Sequence, residues 1–273
     1  MKETTTTEML LRGLKLPGIA AHYHELAQRA ERDGLAHEEY LRQLLEVEMS
    51  ERQQRRIGRL LKDSQLPSEK TLATLDPERL PTKVKRQLPA LCEGGFVERA
   101  ENVLAFGLPG RGKTHLVCAI GHELVRGGRS VFFCATYRLV QRLLAAKKSL
   151  ALEKELRVLD RFDVVILDDI GYVQQDREEM EVLFTFLAER YERRSVMITS
   201  NLVFSQWDRI FKDPMTTAAA IDRVVHHALI VELTGKSKRV EDAATREAHT
   251  SELVPSTAPA SQGPGALATG GAG

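Results

Sequence analysis

Over the first 66 positions, apolar residues recur every three or four places. Leu16, Ile19, Tyr23, Leu26 and Ala30 make one such series; Tyr40, Leu41, Leu44, Leu45 and Val47 open a second that continues to Leu60 and Leu61. That period matches a helical turn, so the segment is predicted to be helical, with one interruption at Gly34. Between Gln65 and Gly95, Pro67, Pro77, Pro81 and Pro89 fall among scattered charges. Proline removes an amide donor and disrupts helix interiors, which predicts a connector of short turns here. From Asn102 the texture changes to brief apolar runs, Val103–Phe106, Ser130–Ala135, Val164–Leu167, Val196–Thr199 and Leu229–Leu233, separated by amphipathic stretches. Such runs are too short for helices, and they predict parallel strands in a sheet covered by helices. Past about Arg246 the chain reads SELVPSTAPASQGPGALATGGAG. That segment lacks the apolar surface to offset its ordering entropy and is expected to be disordered. The expected organisation is a helical region over 1–66, a connector over 67–95, an α/β domain over 96–246 and a tail over 247–273.

Of 273 residues, 42% are hydrophobic, enough for a substantial core. The 39 basic and 38 acidic residues nearly cancel, so whole-chain charge names no partner and any polyanion contact must come from a local cluster. Cys92, Cys118 and Cys134 lack metal-ligand spacing, and two of them fall in apolar stretches, so they are read as reduced structural thiols. The opening MKETTTTEML lacks a basic segment followed by an apolar run, and no window approaches the ~18 apolar residues of a membrane span. A cytoplasmic location with no membrane partner is expected.

Gly107-Leu-Pro-Gly-Arg-Gly-Lys-Thr114 fits the spacing GxxxxGK(S/T), and it lies between the run NVLAF and a helical pattern beginning near Lys113. Glycines let the backbone curl so that successive N–H groups face phosphate oxygens, and the following helix presents its partly positive N-terminus. Gly107, Pro109, Gly110, Arg111, Gly112, Lys113, Thr114 and His115 are therefore the candidate nucleotide-binding residues. Lys113 would reach the β and γ phosphates of ATP, and Thr114 would ligate Mg2+. A metal or acid–base role is not expected for His115, or for the pair His226 and His227, because no second ligand cluster accompanies them.

Val164-Val-Ile-Leu-Asp-Asp169 is an apolar run ending in two acids. Adjacent carboxylates at the end of a buried strand are costly unless a cation or strong donors meet them. Mg2+ would do so, with Asp168 on the metal side and Asp169 placed to orient or deprotonate the attacking water. Ser195-Val-Met-Ile-Thr-Ser-Asn201 reads as another strand with a polar end. If it lies between the first strand and the acidic one, Asn201 can hydrogen-bond the γ-phosphate or the lytic water.

On NVLAFGLPGRGKTHL, DVVILDDIGY, LAERYERRSVMITSNLVFSQW and AAAIDRVVHHALIVEL, residues 102–239 resemble the AAA+ ATPase core. More narrowly they resemble the IstB-type transposition helpers and the related DnaC-type helicase loaders, with ERYERRS and DRVVHHA as particular hallmarks. LKLPGIAAHYHELA is similar to that family's leader domain. The resemblance implies an α/β AAA+ P-loop core, a parallel five-stranded sheet flanked by helices, behind an all-helical N-terminal domain. It implies Mg2+-dependent ATP hydrolysis and a homo-oligomer with ATP at subunit junctions. It makes Arg223 the arginine finger that reaches a neighbour's ATP and Arg239 the second sensor acting in cis, although Lys238 replaces the family's usual aromatic. Many AAA+ chains carry Asp-Glu where this one has Asp168-Asp169. The aspartate is one methylene shorter, and a misplacement of about 1 Å can cost on the order of a hundredfold, so slow basal hydrolysis is expected.

Arg52, Arg55, Arg56, Arg59 and Lys62 recur at helical spacing with no acid between positions 52 and 62. On a helix they form one basic stripe. Such a run is usually a solvated face, but the resemblance implies DNA binding by an oligomer, and the stripe then becomes the candidate contact to duplex phosphates. No helix-turn-helix or zinc signature is present, so binding is expected to be independent of sequence. The expected function is that of an ATPase that assembles on double-stranded DNA and helps a cognate transposase select its target. A DnaC-like helicase loader, a small-molecule kinase sharing the loop, and a nucleotide-gated DNA-binding module with negligible turnover are the alternatives.

Overall fold

The helical periodicity of the N-terminal region is realised as α1 (Lys2–Gly13), α2 (Pro17–Asp33) and α3 (His37–Ser64). The structure, a computed structural model, describes residues 2–172, 177–202, 206–207 and 214–234. The expected tail and Arg239 lie outside the described residues. Gly34 takes a left-handed φ of 63° and closes α2, its N–H bonding the Ala30 carbonyl. The other end of α2 has no side-chain cap of its own. Glu48 of α3 supplies one, accepting from the Gly18 and Ile19 amides at 2.7 and 3.2 Å.

The proline-rich segment departs from expectation. Short 3-10 turns occupy Leu72–Thr74 and Pro77–Arg79, but α4 (Thr82–Glu93) is a helix of 12 residues with Pro89 inside it, followed by α5 (Gly95–Glu98). Val84 and Leu91 of α4, with Phe96 of α5, are buried against the sheet. Burying three such side chains contributes about 5–9 kcal/mol, more than the roughly 3 kcal/mol that an interior proline costs.

All five apolar runs are strands: β1 (Asn102–Phe106), β2 (Val131–Ala135), β3 (Val164–Asp168), β4 (Ser195–Ser200) and β5 (Ala228–Glu232). Between them run α6 (Lys113–Arg126), α7 (Thr136–Lys148), α8 (Leu152–Leu159), α9 (Arg177–Arg190) and α10 (Pro214–Val225). The sheet is parallel, in the order β2-β3-β4-β1-β5, which puts β4 between β1 and the acidic strand. Successive strand residues point to opposite faces. Val103, Val164, Ile166 and Met197 pack toward α6, α4 and the C-terminal half of α3, whereas Leu104, Val165, Leu167 and Ile198 pack toward α7, α8 and α9. Both faces are covered, which is why these strands read as continuous apolar runs.

The ERYERRS segment has a structural role at the end of α9. Arg190 is buried and donates to the carbonyls of Leu159, Phe162, Asp163 and Ser195 at 2.9–3.2 Å. Burial pulls its pKa down to about 10, so it remains charged at neutral pH. Arg193 and Arg194 pair with Asp160 and Asp163 at 2.8 and 2.5 Å. All three cysteines are unpaired, and burial pushes the thiols of Cys118 and Cys134 up to about 12, which leaves them protonated and inert. Among the described residues, no helix is long and apolar enough to cross a membrane.

Candidate nucleotide site

β1 ends in the glycine loop, and the loop leads directly into α6. Gly107 has φ 154°, and a Cβ there would stand 2.6 Å from the Leu233 carbonyl oxygen, so only glycine lets the loop leave the sheet beside the end of β5. Gly112 takes φ 84° immediately before the first residue of α6. Lys113 is buried, and its Nζ donates to the Gly107 and Leu108 carbonyls at 2.6 and 3.1 Å, inside the curl of the loop. Arg111 has Nε and one terminal nitrogen buried without a hydrogen-bond partner. Orphaned guanidinium donors are costly, and an anion seated on the loop would satisfy them. His115 turns away to the connector, its Nε2 lying 3.1 Å from both Thr74 Oγ1 and the Thr71 carbonyl.

The loop and the acidic strand meet at a hydrogen bond of 2.8 Å from Thr114 Oγ1 to Asp168 Oδ1. A hydroxyl and a carboxylate side by side are the hard oxygen donors that suit Mg2+. Thr199 of β4, which the sequence did not single out, completes the cluster. Its hydroxyl donates to Asp168 Oδ1 at 2.7 Å and accepts from the Asp169 amide at 2.8 Å. Asp169 has a left-handed φ of 64°, a costly conformation for a residue with a side chain, and the Thr199 bond holds it there. Thr136, the first residue of α7, donates to the Asp168 carbonyl at 3.0 Å. A threonine inside a buried strand looks like any β-branched core residue, so only its partners reveal it. The structure also lines a cavity of about 390 Å3 beside Asp168 with Lys70, Arg138 and Arg142, cations that no local pattern groups.

Asn201 follows β4, and Gly107 N–H bonds the Ser200 carbonyl at 3.3 Å, so Asn201 lies at the same end of the parallel strands as the loop. Its Oδ1 is buried without a hydrogen bond, and a Cβ at Gly171 would fall upon it. Arg223 of α10 lies with its guanidinium 4.8 Å from the centroid of the Phe184 ring, and one of its terminal nitrogens is buried and unbonded.

Thr199→Val keeps the shape and removes the hydroxyl. Turnover is expected to fall about ten- to a hundredfold, with a smaller change in ATP affinity and recovery in Thr199→Ser. A valine variant with the wild-type rate would show that the hydroxyl only fills space.

The basic stripe is more committed than its spacing suggested. Arg52 pairs with Glu48 at 2.7 Å and donates to the Lys15 carbonyl at 2.9 Å. Arg55 reaches Glu48 and Glu51 at 3.3 and 3.4 Å, and Arg56 donates to the Gly128 carbonyl at 3.2 Å. Glu48 is only 3% exposed; burial opposes its charge, but Arg52 and the Gly18 and Ile19 amides outweigh that and hold its carboxyl below the ordinary range. The absence of acids between 52 and 62 was misleading because the neutralising carboxylates lie one helical turn upstream. Among the described residues, Arg59 and Lys62 have no such bonds. Arg12, in the last turn of α1, and Lys15, in the turn that follows, join the five stripe residues around a groove of about 1070 Å3.

A parallel sheet in this order, with the loop after β1 and the acidic end of β3 across from it, defines an AAA+ P-loop nucleotide-binding protein. The DnaC helicase loader superposes with a TM-score of 0.51 at 19% identity, covering 61% of this chain and 98% of that one. DnaA of Aquifex aeolicus superposes at 0.52 and 17% identity, covering 71% of this chain and 59% of that one. The IstB-like ATP binding protein family matches residues 9–246, and the chain belongs to that family. An insertion sequence ATP-binding protein of Sinorhizobium fredii is 42% identical over 242 residues, 88% of this chain and 81% of that protein. The IS21 ATP-binding protein of Pseudomonas aeruginosa is 38% identical over 238 residues, 86% and 89% of the respective chains.

Proposed function

We propose that the chain hydrolyses ATP with Mg2+ at the meeting point of the 107–114 loop with the ends of β3 and β4. We further propose that it assembles as a homo-oligomer on duplex DNA to help a transposase engage its target. The Thr114–Asp168 hydrogen bond carries the first part, because it joins loop and acidic strand across 54 positions where a hard cation needs oxygen ligands. Bound Mg2+ would offset charge on the β and γ phosphates, with Thr114 and Asp168 holding it. Lys113 exchanges its loop carbonyls for phosphate oxygens. Thr199 keeps Asp168 and Asp169 in register, Asp169 accepts a hydrogen bond or a proton from the attacking water, and Asn201 orients that water or the γ-phosphate. Arg223 reaches the ATP of the adjoining subunit, and Arg239 acts on the ATP of its own.

Support for transposition over helicase loading comes from relatives at 38–42% identity that are named for insertion sequences, whereas the loader likeness is one of fold at 19%. Electron microscopy of the protein with duplex DNA tests the assembly: rings or filaments are expected with ATP and not with ADP. Uniform single chains in every condition would reject it.

The groove between the α1–α2 turn and α3 is the proposed DNA contact. Because Arg52, Arg55 and Arg56 have structural partners, charge reversal at Arg59 and Lys62 is the cleaner probe. The log–log slope of DNA affinity against salt is expected to flatten by about 0.9 for each phosphate no longer neutralised. An unchanged slope in a folded variant would exclude this face.

A further inference from the structure

We propose that Glu192, His226 and His227 form a binding site for one divalent transition-metal ion, with Zn2+ as the probe. Glu192 follows α9 and the histidines follow α10, so the two sides of the site are 34 or more positions apart in the chain. Glu192 takes a left-handed φ of 55°, which reverses the chain just after α9. The Asn102 amide bonds the His227 carbonyl at 2.8 Å and so ties the histidine pair to the start of β1. One ligand atom from each of the three residues lies within 4.8 Å of the other two, and His227 Nε2 is 3.6 Å from the Glu192 carboxylate.

A neighbouring tyrosine, whose hydroxyl also hydrogen-bonds the Glu192 side chain, can orient one of the two imidazoles for a metal. His226 Nδ1 is 3.1 Å from the Tyr191 hydroxyl. With the proton on Nδ1 and donated to that oxygen, Nε2 is left with its lone pair for a metal, as outer-sphere hydrogen bonds commonly arrange. Two imidazoles and one carboxylate, with water in the fourth position, suit zinc and its neighbours, while Mg2+ prefers oxygen donors such as those at Thr114 and Asp168. Glu101 also faces His227, but Arg99 holds its carboxylate at 2.7 Å. Ligation needs the donor atoms to draw closer around metal bonds of about 2.0–2.1 Å. All three side chains are exposed, so rotation alone can bring this about.

An ion here would fasten the end of α9 to the end of α10. Arg223 lies three positions before His226 and already stacks on Phe184 of α9, so the metal would fix the helix that carries this arginine. The site is separate from the nucleotide loop, and its test does not depend on ATP chemistry.

Calorimetric titration of the full-length protein with ZnCl2, in excess Mg2+ and without nucleotide, is expected to show one ion per chain. Glu192→Gln, and the double change His226→Ala with His227→Ala, should each weaken binding at least about tenfold. Circular dichroism checks that both variants are folded, and the glutamine change is the safeguard if the double variant is not. Absence of Zn2+ binding to the unaltered protein, or binding that persists unchanged in folded Glu192→Gln, would overturn the proposal.

Discussion

Lys113→Ala is expected to eliminate measurable ATP turnover and to weaken ATP binding by about two orders of magnitude. The Nζ group lies inside the loop, bonded to the Gly107 and Leu108 carbonyls. On the proposed function it exchanges those bonds for phosphate oxygens. A hydrogen bond to a charged partner is worth about 1.5–3 kcal/mol, and one made more strongly as charge develops in the transition state is worth a further 10²–10³ or so in rate. The alanine variant also frees two loop carbonyls, so a collapsed loop must be distinguished from a missing phosphate interaction. Thermal unfolding with and without ATP does this. A fold of wild-type stability that ATP no longer stabilises is the expected pattern, since a ligand raises stability only by binding the folded state. Unaltered ATP affinity in Lys113→Ala would remove the basis for assigning the nucleotide to this loop.

The second large effect is expected from Arg223→Ala, which should lower turnover of the assembled protein by about 10³-fold, or roughly 4 kcal/mol of barrier. The mechanism assigned to Arg223 is action in trans, so mixing experiments are sharper than single variants. An Arg223→Ala subunit has an intact loop but offers no arginine to its neighbour. A Lys113→Ala subunit has a disabled loop but an intact arginine. Mixing the two inactive proteins should restore activity at junctions where a good loop faces a good arginine. Arg223→Lys keeps the charge but loses the planar group that stacks on Phe184, and it should recover only part of the rate. Specific activity that is independent of protein concentration, with no recovery on mixing, would confine the chemistry to single chains.

Both experiments start from residues that sequence spacing or family resemblance picked out, whereas Thr199 and the Glu48 network came from the fold. The loop is legible because cradling a phosphate would call for glycines and a lysine close together, and they fall within eight consecutive positions. Asp168 is legible because a carboxylate ending an apolar run needs an explanation. The basic stripe shows the opposite case: its members are real neighbours on α3, but the partners that occupy Arg52 and Arg55 lie outside the window, and one of them caps a different helix. The helix through Pro89 shows local propensity overruled by burial of Val84 and Leu91.

Patterning among chain neighbours was enough to read five apolar strands, the glycine-rich loop and the acids at the end of β3. The fold was needed to place β4 between β1 and β3, to join Thr199 to Asp168 and the Asp169 amide, and to bring Glu192 to His226 and His227. These contacts join residues about 30 or more positions apart. They exist because burying both faces of the sheet selects one strand order, and no short stretch of sequence encodes that choice.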